Sequence, residues 1–429
     1  FRDYIFRMKL IFYIIIFISY LCSSSISLNG FGGDNTSIDP ASAGLGHSML
    51  FSGRSDGLVQ SAMSTQHNSR LARIYISNNY NQLSISSVTN SNHLISSIGF
   101  SFPFRESHQI TIGLSPKTRI DFSIYQQYFD HSESLIGETN LNPLAIKHSY
   151  DFSGGISSLY LGISSGYFDI VDLGFKWDIL FGNLFSDARI NTYTFNYNDE
   201  NCVPSSDGSF ANDVCLNMDP SSSLISNNIY HFNVQSFTID GRSVFNFHEL
   251  AASITLDAPL FVNKSTINNG LAGKSELEST DDFSIGKFSC GYKFEKLSKS
   301  GITIEVQRNL SSYKSLSDQL FETQEPQSVS FHAGTFKIFE NTRIGFWNYL
   351  TFSGGLMLKQ INFEDYSVQD NAVTMGLGFK FLNNTNQVDI SLSSGIRKTE
   401  NEIFPDEEYI NINFAISSGD TWFKKIRRK

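Results

Sequence analysis

Charge is in short supply. Asp, Glu, Lys and Arg make up 17% of these 429 residues, against roughly 25% in an average soluble domain. The 32 Lys+Arg and 42 Asp+Glu leave a formal charge of −10. That acidic balance argues against nucleic acid as the partner, since phosphate binding needs a clustered basic surface. Beyond the N-terminus no apolar run approaches the ~20 residues of a spanning helix, which excludes a polytopic helical membrane protein. Helical spacing is sustained nowhere after the first segment. The 9 prolines are too few to interrupt many ladders, since each would remove an N–H donor. The four cysteines include no CxxC pair, and none of the nine histidines lies four residues from another as on a zinc-binding helix. Metal and cofactor chemistry therefore have no sequence support, and no catalytic residue is assigned.

What is present begins with an address. Arg2, Arg7 and Lys9 precede an uncharged stretch from Leu10 to Leu21, and Ser25-Ile26-Ser27 follows as a small-residue cleavage site. Basic, apolar, small is the order of a secretory signal peptide. Met8 reads as the start, and residues 1–27 as upstream sequence plus a cleaved signal. In the oxidising compartment that this implies, Cys202 and Cys215, close together in a polar stretch, are expected to form a loop-closing disulfide.

From about residue 70 onward the chain alternates. Val373, Met375, Leu377, Phe379 and Phe381 interleave with Thr374, Gly376, Gly378 and Lys380; Ile302, Ile304 and Val306 oppose Thr303, Glu305 and Gln307. Ile410, Ile412, Phe414 and Ile416 do the same near the end. Successive strand side chains point to opposite faces, so each segment has one apolar and one polar face. A soluble sandwich buries the apolar face; a membrane barrel turns it to lipid and leaves the polar set to the lumen. The polar faces are rich in Gly, Ser, Asn and Thr, while 38 Phe and 18 Tyr load the apolar ones. That aromatic weight suits the girdles of a membrane barrel. The reading is an all-β fold, a single transmembrane antiparallel up-and-down barrel of about 14 strands. Short turns are expected at 164–167, 297–301 and 383–386, and long polar loops at 128–152, 197–228, 262–282, 311–328 and 398–408.

Toward the C-terminus four segments follow in order: Val373–Phe381 (VTMGLGFKF), Val388–Gly395 (VDISLSSG), Tyr409–Phe414 (YININF) and Asp420–Lys429 (DTWFKKIRRK). This order resembles the closing strands of the FadL-type hydrocarbon and fatty-acid transporter superfamily. Leu173–Phe185 resembles its pattern of a strand ending in an aromatic-Gly turn, Gly286–Leu310 its hairpin leading into an outer-wall strand, and SIDPASAGLGHSMLFSGRSDG the glycine-punctuated segment before its first strand. The family's Asn-Pro-Ala element is missing: Leu58–Ser64 lacks proline, and Asp39-Pro40-Ala41 lies earlier. The resemblance implies an N-terminal luminal segment over 28–68, a barrel over 69–429, and uptake of hydrophobic small molecules. No ligand-contacting residue transfers by position.

Other chemistry is weaker. Gly162-Ile163-Ser164-Ser165-Gly166 fits G-x-S-x-G, but a nucleophile elbow needs a strand-to-helix turn, and these flanks alternate as strands, so a hairpin turn is expected. Closure could bring His248, Glu249 and Glu305 together. Asp199, Glu200, Asp207, Asp213 and Asp219 suit a solvated loop better than a Ca²⁺ site, and the basic tail Lys424–Lys429 suits lipid head groups or periplasmic solvent. Plug residues Leu45, Met49, Leu50, Leu58 and Met63 could offer an apolar pocket. The expected function is passive uptake of long-chain fatty acids or hydrocarbons across the outer membrane of a diderm (Gram-negative) bacterium, by a protein that is not an enzyme. The alternative is a non-transporting barrel in secretion or surface assembly. Expected partners are outer-membrane lipid, a hydrophobic small molecule and the barrel-assembly machinery.

Overall fold

The computed structural model describes residues 33–34, 39–51, 71–85, 88–105, 108–130, 144–167, 171–194, 222–258, 261–268, 271–278, 284–296, 299–310, 327–340, 349–362, 366–381, 385–399 and 406–421. A two-residue strand β1 (Gly33–Asp34) and a single-turn helix α1 (Pro40–Ala43) come first. The sheet follows as β2 (Leu71–Ile85), β3 (Val88–Arg105), β4 (His108–Asp130), β5 (Leu144–Tyr167), β6 (Val171–Thr194), β7 (Ser222–Phe245), β8 (His248–Asp257) and β9 (Phe261–Asn268). It continues as β10 (Leu271–Glu278), β11 (Ser284–Lys296), β12 (Ser300–Asn309), β13 (Gln327–Glu340), β14 (Tyr349–Asn362), β15 (Ser367–Phe381), β16 (Asn386–Thr399) and β17 (Glu407–Thr421).

Each long strand pairs antiparallel with its sequence neighbours. The last strand closes on the first, from Thr421↔Leu71 to Glu407↔Ile85. β8 and β9 lie end to end along β7, on Ser236–Phe245 and Ser226–Asn233 respectively. β11 and β10 pair back onto them. These four pieces therefore act as two interrupted strands, and the wall is a closed barrel of 14 strands with β1 as the extra one.

Closure follows from the environment. Hydrocarbon offers no partner for a backbone N–H or C=O, so a sheet with an oil-facing side must pair all round. The side chains show which side that is. In β12, Ile302, Ile304 and Val306 are 47%, 40% and 42% exposed, while Thr303, Glu305 and Gln307 between them are 2%, 1% and 5% exposed. Ile412 on β17 is exposed, and Phe379 and Phe414 are partly so, with no second layer stacked over them among the described residues. Near the end of the wall where β2 starts and β17 finishes, Phe104, Phe245, Phe247 and Phe339 face outward as an aromatic girdle.

The strands are unequal. β4 has 23 residues and β5, β6 and β7 have 24 each, against 10 in β12 and 14 in β13. Roughly 10 tilted residues cross a membrane, so β4–β7 continue well past the oil on one side. This corrects the expected loops. Residues 144–152 belong to β5, most of 262–282 forms β9 and β10, and β7 begins at Ser222. Outside the oil the outward face no longer has to be apolar, and the alternation that marks a strand fades. The expected turn at 164–167 also lies within β5.

Replacing Ile304 by Arg sets a charge in the oil. The expected cost is roughly 2–4 kcal/mol, measured by denaturant unfolding in lipid vesicles, whereas Ile304→Leu should cost under about 1.5 kcal/mol.

Candidate functional site: the occupied lumen

The inner wall carries polar side chains, and the chain's own N-terminal segment satisfies many of them. Asp39 begins it as the N-cap of α1. Its Oδ2 accepts from Ser42 N at 3.1 Å and Ser42 Oγ at 2.9 Å, and Pro40 takes the first helical position, where no N–H is needed. Its Oδ1 accepts from the Tyr75 hydroxyl of β2 at 3.0 Å. α1 packs on β15, β16 and β17. The chain then crosses the wall toward β8, where Leu50 and Phe51 pack with Ala251.

Three wall positions make that crossing possible. Gly334 on β13, Gly355 on β14 and Gly376 on β15 face the segment, and a Cβ on each would run into the backbone of Leu45, Gly46 or Gly44. At Gly46 the backbone is left-handed (φ +77°), a conformation glycine adopts without penalty. Its N–H donates to Thr374 Oγ1 at 2.9 Å, and its carbonyl accepts from His332 Nδ1 at 2.6 Å. His332 Nε2 therefore accepts from the Ser330 hydroxyl, 2.8 Å away. The next residue, His47, also has positive φ (61°) and is buried. Burial pushes its imidazole down to about 4, which keeps the ring neutral.

Glu305 is the anchor. One carboxylate oxygen, Oε2, accepts from Ser48 Oγ at 2.5 Å, Met49 N at 2.9 Å and Leu50 N at 3.0 Å. The other, Oε1, accepts from Gln307 Nε2 at 2.8 Å. A fully buried charge is tolerated only when donors converge on it in this way. Elsewhere on the wall, charges neutralise each other. Asp178 lies 3.3 Å from Lys176 and 3.6 Å from Lys117. Arg242 bridges Asp172 and Glu249, and Lys293 bridges Glu249 and Glu295. Arg397 bonds Asp370 and Glu407, with its guanidinium over the Tyr409 ring.

Above this polar belt the inner face changes character. On β7 the inward row runs Arg242, Asp240, Thr238, Ser236 and then Val234, Phe232, Tyr230. With Ile156, Leu184 and Val262 these last three form one apolar cluster, and Phe152 and Leu180 pack against it. Close by, the wall is incomplete. β3 and β4 pair only from Ile98↔Leu114 to Arg105↔His108. Beyond that, β3 stays with β2 and β4 with β5, and among the described residues only β1 reaches the parted edge, at Thr118–Arg119. Ile156 is the cross-strand partner of Thr118, so the apolar patch begins at the level of this seam.

Several sequence expectations fall elsewhere. Leu45 packs with Phe336 and Ile338, and Leu50 with Phe51 and Ala251, so both fill space against the wall and offer no pocket. Leu58 and Met63 lie outside the described residues, as do Cys202, Cys215, the acidic loop positions, the basic tail and residues 1–27. Of the 28–68 segment, 33–34 and 39–51 are described. Ser164 sits inside β5, paired with Gln109 and Gly174, not in a hairpin turn. Closure does not gather His248, Glu249 and Glu305: His248 faces outward beside Tyr292, Glu249 inward to Arg242 and Lys293, and Glu305 to the plug. No metal-binding group of His, Cys, Asp or Glu occurs among the described residues. The apolar patch and the seam went unread in the sequence. The one available signal was the switch from polar to apolar along a single face of β7.

A closed wall, a filled lumen and a parted seam define a plugged outer-membrane barrel. The chain belongs to the BamG family, whose model matches residues 10–428. No curated protein matches it. Among solved structures it is similar to the CymD monoaromatic hydrocarbon channel (11% identity, 91% of this chain and 98% of that one, TM-score 0.53). It is also similar to a FadL homologue of Pseudomonas aeruginosa (8%, 94% and 100%, TM-score 0.52) and to the deltaS2S3 mutant of the TodX monoaromatic hydrocarbon channel (9%, 89% and 98%, TM-score 0.52). At these identities the likeness is one of fold.

Two substitutions test how the segment is held. Glu305→Ala strips the acceptor from four donors, three of them in the segment and one on Gln307, each costing about 1–3 kcal/mol if left unmade. A cysteine placed at Ala43, which lies in the segment but takes no part in the Glu305 contacts, reports the release. In the Glu305→Ala background it should react at least ~10-fold faster with an aqueous thiol reagent. Gly355→Ala should free the same probe, because its Cβ meets Gly46, whereas Gly354→Ala next door, whose Cβ makes only an ordinary contact, should not.

Proposed function

We propose that this barrel admits a hydrophobic small molecule from outside and releases it sideways, without chemistry, across the outer membrane of a Gram-negative bacterium. The observation that carries the reading is the apolar inner patch of Ile156, Leu184, Tyr230, Phe232, Val234 and Val262, which starts level with the seam between β3 and β4. An apolar solute leaves water for such a patch at a gain of about 25 cal/mol per Å² buried. The lower lumen is crossed by the plug and by ion pairs whose desolvation the solute would have to offset. The gap opens just beyond Ile98 and Leu114, at the foot of the patch where the outward face turns from apolar to polar, and so leads down to the edge of the bilayer, the better solvent. The similarity of the fold to CymD and to a FadL homologue supports the same reading, and long-chain fatty acids or hydrocarbons are the substrate class.

A second reading, a non-transporting barrel that serves surface or barrel assembly, is favoured by a different observation. The plug is fastened to β2, β12, β13 and β15 by buried hydrogen bonds, which suits a lumen that stays closed. The family name BamG hints at the same role.

Liposomes carrying the purified protein should take up a fluorescent fatty acid faster than empty ones. Phe232→Asp, which puts a charge in the patch, should lower that rate about tenfold, the equivalent of 1.4 kcal/mol. Equal rates for protein-bearing and empty liposomes, together with a barrel protein recovered by crosslinking in the native membrane, would favour assembly over uptake.

A further inference from the structure

The oil-facing surface is not uniformly convex. Cross-strand registers place Leu173, Gly241, Ala252, Cys290 and Val306 in one row across β6, β7, β8, β11 and β12. The three central members are small, so the wall is indented there. The next row toward the girdle holds Val171, Ser243, Leu250, Tyr292 and Ile304, and the row on the other side holds Ile239, Ile254 and Phe288. The depression is shallow and open to the outside, with a volume of about 560 Å³. Val171, Leu250, Ile304 and Val306 line it as exposed apolar side chains. At its girdle end the slot becomes polar: the Tyr292 hydroxyl and His248 Nδ1 lie 2.6 Å apart on the outward face.

We propose that this slot seats one acyl chain of a membrane phospholipid, with the His248–Tyr292 pair beside its glycerol or headgroup. The slot is continuous with the exposed apolar band of β12 and β15, so lipid is what surrounds it. Shape selects the occupant further. A second barrel presents another convex wall, which would rest on Leu250 and Ile304 without reaching Gly241 or Ala252. A thin, flexible chain can follow the indentation and cover its apolar floor. The lipid is an annular ligand on the outside of the wall, and its seat is independent of the luminal path and of the uptake reading.

The test uses the full-length protein, delipidated in detergent and titrated with dipalmitoyl phosphatidylethanolamine. Native mass spectrometry should show one retained lipid per barrel. Ala252→Phe fills the slot and should weaken retention about tenfold, the loss of roughly two buried methylenes. Val373→Phe, of equal size on the distant outward face of β15, should leave retention unchanged. A measurement on the unmutated protein guards against misfolding of the variant. Added lipid should slow alkylation of Cys290, read on its own peptide, because Cys290 is free and lines the slot. Equal retention in Ala252→Phe, equal loss in Val373→Phe, or unchanged Cys290 alkylation overturns the proposal. So does retention of an acylated protein in place of phospholipid, or a shift from dimer to monomer on filling the slot.

Discussion

Hydrocarbon solvates neither a charge nor an open peptide group, and every major feature of this protein answers to that fact. The apolar alternation points outward because oil is there. The polar alternation points inward because it has nowhere else to go, and the sheet closes because an open edge would strand its N–H groups. A closed wall with a polar interior then raises a second problem. Its inward carboxylates, amides and hydroxyls lie at low exposure and need partners of their own. Part of the answer is mutual: Arg242 and Lys293 between Asp172, Glu249 and Glu295, and Lys176 with Asp178. The other part is the N-terminal segment, whose backbone supplies the donors that Glu305 lacks.

That segment is coupled to the wall by chemistry and by shape at once. Hydrogen bonds to Glu305, Thr374, His332 and Tyr75 fix its direction, and the three inward glycines let its backbone lie close enough to make them. Neither part works alone. Side chains at Gly334 or Gly355 would hold the segment off the wall, and without the polar anchors a flat glycine surface would select no register. Contacts running from β2 to β12 also tie the seating of the segment to closure of the first strand on the last.

The wall was legible in the sequence because two signals agreed, a period of two and an aromatic-rich apolar face opposite a Gly, Ser and Asn face. The plug contacts were not. Glu305 looks like any isolated charge on a polar strand face, and its partner Ser48 stands 257 positions away in sequence. Gly334 and Gly355 look like ordinary strand glycines until the segment is laid on them. The extramembrane ends of β4–β7 were hidden for the opposite reason. Where water replaces oil outside, Asn183, His231 and Asn233 face outward and Leu184, Phe232 and Val234 inward. The rule relating polarity to side then reverses along one continuous strand, and a fixed rule reads the reversal as a loop. The seam left no side-chain signal, being a matter of which backbones diverge.

The unequal strand lengths give the rim a direction. On the β4–β7 side the wall continues past the membrane by ~10 residues, roughly 30 Å of strand before tilt, while the β12–β17 side stops short. A molecule drifting in from the low side meets a tall backstop whose greasy inner lining stands next to the gap at its foot. If the barrel takes up apolar solutes as proposed, such a lopsided collar would capture by interception: it would favour one angle of approach, and neighbours crowded around the high side would leave that entrance clear.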